Sequence, residues 1–507
     1  MSAVAQPRPR GVAPGGRAPE PRRLRARRVA ASPLVWVLLS IGVAVLSWAT
    51  LPTIPSYDPF SWIIWGREVS DPHLAFTISG GPSWKPLPFL FTVVDGLFGA
   101  AAPTLWVITA RVGGLLGLIA AGRLAARLAG GARAGALAGL IAIGGILTTQ
   151  DWGYYFLRGA SEPGLIACTL WSIDRLLAGR RGSAFALALA AALIRPEWWP
   201  FLLADAVWLG GADPRWRSPA RRAGLLAALA LVPVLWFVPP WIGSGDPLLA
   251  ATHAAEFNGQ LGADPVRAII GRAVDDQVWP LLLAAALYVA VAGARGADRR
   301  LIALGSGVLA WWLEVIAMTL LGGFPGLERF YLPAAAVVCA LGAAGMVTCA
   351  RSAGARVGGG GRRIVAAAVL AAVLAASAFA SRTPVSLLGA SPGQAALAQR
   401  TLHGMERAVL AAGGPGRILP CPSSFAAVNH AAQPALAWDL GVGLERVGTA
   451  MREAGVDFIG PANVATGIPA PIDPRLLRSR RVAHVGAWYV LRLTDPHDPH
   501  GAPCAGH

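Results

Sequence analysis

The chain has 507 residues, of which 55% are hydrophobic and only 14% charged. With a mean hydropathy of +0.53 this composition excludes an ordinary soluble globular protein and points to a membrane protein. The formal net charge of +17 does not imply nucleic acid as a partner: nearly all of it is arginine, Lys85 being the sole lysine, and the arginines punctuate apolar stretches without forming a groove-like patch with interleaved aromatics.

In chain order, residues 1–31 are rich in Pro, Gly and Arg without apolar periodicity and read as a disordered cytoplasmic tail. Pro33 to Leu51 follows, about one bilayer crossing long; the run exceeds a usual signal-peptide core and lacks a clear small-residue cleavage site. Residues 52–103 form the first outer loop, in which Pro86 to Ala101 is a juxtamembrane or re-entrant piece shorter than a full span. Further crossings are expected at Thr104–Gly122, Ala134–Thr149, Pro163–Leu177, Ser183–Ile194, Trp198–Gly210, Ala223–Ile242, Trp279–Ala294, Leu301–Leu321, Phe330–Ala350 and Ile364–Ala380. That makes about 11 transmembrane helices within residues 32–381.

Charge fixes their direction. Arginine clusters fall at Arg22–Arg28, Arg123–Arg133, Arg180–Arg181, Arg215–Arg222, Arg295–Arg300 and Arg351–Arg363, and positive charge near span ends is retained inside. The opposite loops carry single cations only: Arg67, Lys85, Arg158, Arg195, Arg267, Arg272 and Arg329. The expected protein is a multi-pass protein of the plasma (inner) membrane with a cytoplasmic N-terminus. Residues 382–507 then lie outside as a small α/β domain, with a helix over Gln394–Ala412, short strands at Arg417–Leu419, Val456–Ile459, Val482–His484 and Ala487–Leu493, and a helix over Leu444–Glu453. Cys421 and Cys504 are disulfide candidates in this exported region, while Cys168, Cys339 and Cys349 belong to spans.

The first outer loop has unusual chemistry for a connector. Acids, cations and tryptophans converge in Tyr57-Asp58-Pro59-Phe60-Ser61-Trp62, Arg67-Glu68 and Ser83-Trp84-Lys85-Pro86, at the depth of lipid head groups. Asp58 before Pro59 also suits a helix N-cap, and Asp-Pro recurs elsewhere in the chain. Trp62 and Trp84 suit either sugar stacking or interface anchoring. His253, with Glu256 and Asn258, adds a polar loop between later crossings. Arg111, Asp205 and Glu314 fall within spans, which invites a rival reading as a proton-coupled transporter or lipid flippase, unless Arg111 and Glu314 pair structurally. A third class is an envelope-assembly or sensor protein whose exported domain binds a partner.

The acid after the first span, the stretch Trp84-Lys85-Pro86-Leu87-Pro88 ahead of Leu97-Phe98-Gly99, and Arg111 resemble the start of GT-C superfamily glycosyltransferases. Arg158-Gly159-Ala160-Ser161-Glu162-Pro163, Arg195-Pro196-Glu197-Trp198 and Glu328-Arg329-Phe330-Tyr331 continue the likeness over residues 33–350. The resemblance implies a GT-C-like fold, a polyprenyl-phosphate-linked sugar as donor, an envelope glycan or glycolipid as acceptor, membrane lipid as surroundings, and Asp58 as general base of an inverting transfer, with Glu68 and Asp71 in reserve. Arg329 is the first choice for the donor phosphate because a guanidinium binds phosphate through two parallel bonds; snorkelling to the interface is its bland alternative. Lys85, Arg158, Arg195 and His253 are secondary substrate-binding candidates, although Glu68, Glu162 and Glu197 are also placed to pair with such cations. Fixed cations stabilise a departing phosphate without an obligatory divalent metal.

Overall fold

The computed structural model describes residues 33–356 and 384–493 apart from 79, 83, 256–263, 276, 295, 297, 450–454 and 462–478. The expected tail and the eleventh crossing at Ile364–Ala380 lie outside the described residues. Helices dominate: α1 (Pro33–Thr50), α2 (Tyr57–Ser70), α3 (Pro86–Gly96), α4 (Ala102–Ala129), α5 (Ala132–Leu147), α6 (Trp152–Leu157), α7 (Glu162–Leu177), α8 (Arg181–Ala192), α9 (Trp199–Ala212) and α10 (Pro219–Ser244). They continue as α11 (Leu249–Ala255), α12 (Pro265–Asp275), α13 (Trp279–Ala294), α14 (Arg299–Gly322), α15 (Leu332–Arg356) and α16 (Pro384–Ala411).

Each of the first ten expected crossings coincides with one of these helices. Among the described residues five are long and apolar enough to cross a bilayer (α1, α4, α10, α14 and α15), or six if the bent pair α12 and α13 is one span. The helices at Ala132–Leu147 and Arg181–Ala192 are apolar but shorter. The chain is thus a polytopic helical membrane protein. Exposed Leu34, Leu38, Leu39 and Leu46 on α1 are what lipid would cover.

The helix at the centre of the bundle is α15, and its composition explains its place. Small residues let neighbouring backbones approach: a Cβ at Gly345 would sit 2.8 Å from the Ala284 carbonyl oxygen of α13, and one at Gly342 would collide with the Leu281 carbonyl. The same device sets the first outer loop. Gly66 of α2 lies against the Thr92 backbone of α3, so the two juxtamembrane helices cross in close contact. Phe60, Trp62, Ile63, Ile64 and Trp65 are buried there, each worth about 1.5–3 kcal/mol if fully withdrawn from water.

The C-terminal region carries a five-stranded sheet in the order β2-β1-β3-β5-β4. Its strands are β1 (Phe425–Val428), β2 (Val447–Gly448), β3 (Gly455–Ile459), β4 (Ser479–Val485) and β5 (Trp488–Leu493). β1 pairs in parallel with β2 and β3, whereas β5 is antiparallel to β3 and β4. Helix α18 (Gln433–Leu440) follows a short helical turn, α17 (Pro415–Ile418), and links β1 to β2. Two sequence expectations fail here. Arg417–Leu419 is no strand, because Pro415 opens a helical turn over it. The helix expected over Leu444–Glu453 does not form in its described part: Leu444–Arg446 makes one 3-10 turn and Val447 then pairs with Ala426 in the sheet, while 450–453 lie outside the described residues. Cys421 is disulfide-bonded, while its expected partner Cys504 lies outside the described residues.

Candidate active site

Four separate stretches of chain bring charge to one place. Asp58 stands in the first turn of α2, Lys85 just before α3, Glu162 at the first residue of α7, and Arg329 in a 3-10 turn before α15. Arg329 Nη1 donates to Asp58 Oδ2 at 2.8 Å across 271 positions of sequence. Both side chains keep partial access to solvent, at 27% for Arg329 and 18% for Asp58.

Beneath that pair Glu162 is a buried hub. Its Oε1 accepts from Arg195 Nη1 at 3.0 Å and lies 3.8 Å from Lys85 Nζ and 4.0 Å from Arg329 Nε. Burial opposes its ionisation, but Lys85, Arg329 and Arg195 overcome that and hold the carboxyl at about 2. Its position at a helix N-terminus acts in the same direction. Arg195 is also tied to Glu197 Oε1 at 3.1 Å and lies over the Phe330 ring at 4.1 Å.

Lys85 Nζ donates to Ser161 Oγ at 2.7 Å and sits 4.9 Å from the Trp62 ring centre. Burial lowers its pKa to about 8 despite the attraction of Glu162, with Arg195 and Arg329 pushing the same way as burial. For Arg329, burial works against the charge, yet Asp58 and Glu162 raise its pKa above the ordinary value, so it is cationic at every physiological pH. Its Nε is buried, 4.0 Å from Glu162 Oε1 and without a hydrogen-bond partner among the described residues.

The other candidates fall elsewhere. Arg158 spends its guanidinium on the carbonyls of Ile54 and Pro55, at 3.1 and 3.0 Å, and so fastens the chain leading to Asp58. Trp62 and Trp84 are buried, the first packed edge-on against Trp106 and the second donating Nε1 to the Leu235 carbonyl, so neither presents a face to a sugar. His253 Nδ1 is 3.5 Å from the Pro82 carbonyl and braces the first outer loop; Glu256 and Asn258 lie outside the described residues. Arg111 does not pair with Glu314. It donates to Ser47 Oγ, the Leu51 carbonyl and Thr53 Oγ1, each at 2.9 Å, closing the end of α1.

Glu68 faces away from this cluster, toward the C-terminal sheet region. Its Oε2 accepts from the Thr77 backbone N–H at 3.0 Å, while the Thr77 hydroxyl donates to Glu445 at 2.7 Å. Burial, reinforced by the Glu445 charge, pushes its carboxyl up to about 8 against the Thr77 hydrogen bond. Beside it, Arg67 reaches the carbonyls of Trp438, Ala437 and Val442, with the Val442 contact at 2.7 Å, and lies 4.6 Å from the Trp438 ring centre. In the sequence Glu162 reads only as a partner for a nearby cation, and Arg67 only as one of the single cations of the outer loops. The signal for Glu162 was its place at a helix start beside Ser161 and Pro163; nothing local signalled contacts made across some 370 positions.

The overall architecture is similar to that of proteins of known structure. ArnT from Cupriavidus metallidurans bound to undecaprenyl phosphate superposes with a TM-score of 0.50 at 15% identity, over 92% of this chain and 99% of that one. Its apo state gives 0.51, also at 15% identity, over 91% and 98%. An Archaeoglobus fulgidus oligosaccharyltransferase tethered with an acceptor peptide is more distant, with a TM-score of 0.44 at 13% identity over 82% of this chain and 63% of that one. No family model matches the chain, and no curated protein matches it in sequence. The chain therefore shares the fold of ArnT over nearly its whole length, in line with the fold that the resemblance in the sequence implied.

Proposed function

We propose that the protein transfers a sugar from a polyprenyl-phosphate carrier to a cell-envelope glycan or glycolipid on the extracytoplasmic face of the plasma membrane. The observation that carries this reading is the Asp58–Arg329 pair at 2.8 Å, with Lys85 close by, in a fold shared with an undecaprenyl-phosphate-binding protein. The arginine pattern supports eleven crossings with residues 1–31 inside, and residues 382–507 outside as a separate α/β domain.

The chemistry follows from the groups present. Arg329 and Lys85 bind the donor phosphate, the guanidinium through its planar fork of N–H donors. As the guanidinium shifts its bonds toward phosphate, Asp58 is released from its ion pair. The acceptor hydroxyl oxygen then attacks the anomeric carbon, its proton passes to the Asp58 carboxylate, and the bond from that carbon to the phosphate oxygen breaks with inversion. The polyprenyl phosphate leaves with the bonding electrons, its charge held by the same two cations. In this mechanism no divalent metal is obligatory.

The test is incubation of the purified, folded protein in lipid nanodiscs with a panel of radiolabelled polyprenyl-phosphate sugars, following both sugar release and movement of the intact donor between leaflets. Consumption of at least one donor is expected. Movement of intact donor without cleavage would instead establish a flippase, and inertness toward the whole panel would remove the transferase reading.

A further inference from the structure

From the packing of the C-terminal sheet region on the first outer loop, we infer that His430 and Tyr57 form the acceptor side of the site and engage a polyhydroxylated, carbohydrate-type acceptor. The inference rests on the transferase reading and adds to it the residues that hold the carbohydrate part of the acceptor.

Helix α2 is clasped from both sides. On the bundle side Asp58 is bound by Arg329. On the other side α18 is docked through the three carbonyls that Arg67 bridges, through the Glu68–Thr77–Glu445 chain, and through Phe60 against Trp438 at 6.2 Å between ring centres. Residues 59–66 of α2 are buried, against α3 and the bundle as well as the C-terminal region. Tyr57 and Asp58, in its first turn, retain partial exposure.

At that turn the C-terminal region contributes its own ring. His430, in a short 3-10 turn before α18, lies against Tyr57 with ring centres 4.0 Å apart and planes tilted by 34°. Gln433 braces the pair: its Nε2 is fixed on the Val447 carbonyl at 2.7 Å, and its Oε1 lies 3.5 Å from the Tyr57 hydroxyl. Successive residues on a helix point about 100° apart, so Tyr57 faces the sheet region while Asp58 faces the bundle cations. An acceptor approaching Asp58 opposite the donor phosphate therefore meets Tyr57 and His430 first.

Amphipathic rings carrying both a π face and a polar atom suit sugars, whose C–H faces stack on rings while their hydroxyls hydrogen-bond at the edge. The C-terminal sheet region thus serves as the selective wall of a composite site.

Saturation-transfer NMR with full-length protein in nanodiscs and a set of methyl glycosides of neutral hexoses and amino sugars tests this without requiring turnover. Wild type is expected to bind at least one glycoside, His430→Ala to weaken it about tenfold, and His430→Phe, which keeps the ring face but not the polar atom, to weaken it less than His430→Ala. Absence of glycoside binding by wild type, or unchanged affinity in His430→Ala, overturns the inference. Glycoside binding by a wild type that consumes no donor would overturn the transferase reading alone.

Discussion

Helix α7 carries a buried carboxylate near each end, and the two are built differently. At its start Glu162 is surrounded by Lys85 and Arg195, whose side chains are only 6% and 5% exposed, and by Arg329, which it shares with a second acid, Asp58. In its last turn Asp174 is held by Arg127 at 2.9 Å and Arg123 at 3.6 Å, both about one-third exposed, with Arg123 and Arg175 lying over Trp171. A carboxylate near a helix C-terminus is disfavoured by the helix dipole, so the two arginines at Asp174 offset a local cost and end in solvent. At Glu162 the dipole already favours the acid, and its cations are shared with two further carboxylates, Arg195 with Glu197 and Arg329 with Asp58.

The largest effect that separates these two ends is on stability. Glu162→Gln strands buried cations and is expected to cost about 3–5 kcal/mol, whereas Asp174→Asn lets its arginines relax into water and costs about 1 kcal/mol. Thermal unfolding in detergent measures both; equal costs would erase the distinction. Next in size, Arg329→Ala should raise the donor KM about a hundredfold, equivalent to about 2.8 kcal/mol, since every tenfold is about 1.4 kcal/mol. Arg127→Ala at the other end should leave donor KM within about twofold, and a matched loss would show that both clusters act only through the fold.

Lys85 sharpens the contrast through pH. A lysine binds anions only while protonated, and burial brings its pKa down to about 8 from 10.5 in the unfolded chain. Donor kcat/KM is expected to fall as pH rises through about 8, and Lys85→Arg should carry the plateau to higher pH. Stability runs the opposite way, because between pH 8 and 10.5 the unfolded chain binds more protons than the folded one, so folding gains as pH rises. Coincident loss of stability and activity above pH 8 would contradict this assignment.

The smallest expected effect concerns Glu68. Its folded pKa of about 8 lies above the usual value of 4.5, so the folded state binds the extra proton between those limits and loses stability as pH rises through that window. Glu68→Gln should flatten that part of the profile by about 1 kcal/mol or more at pH 8, read from unfolding at pH 5, 7 and 9. An unaltered slope would mean that Glu68 is not the proton-binding group where α2 meets the sheet region.

What could be read in the sequence follows from where the information lies. Charges are scarce in this chain, so a lone cation beside a span announces itself, and Lys85, Arg195 and Arg329 were visible for that reason. Span positions were visible from apolar length, and β3 and β5 from their strand-like patterning. Strand β1 was hidden because Phe425–Val428 is buried throughout and shows no alternation. The place of Trp62 and Trp84 is ambiguous in the sequence because amphipathic rings near a membrane crossing suit an interface or a sugar as well as a core; packing against Trp106, Trp65 and Phe89 decides for the core. The clasp on α2 depends on Arg67, Trp438, His430 and Glu445, which no local pattern connects.

The most direct test of the central claim is single-turnover transfer by Asp58→Asn with whichever donor wild type consumes. The account predicts donor affinity within a few-fold of wild type and a chemical step slower by about 10²–10⁴, the usual range for loss of a general base. A variant that binds donor and transfers sugar at the wild-type rate would contradict it.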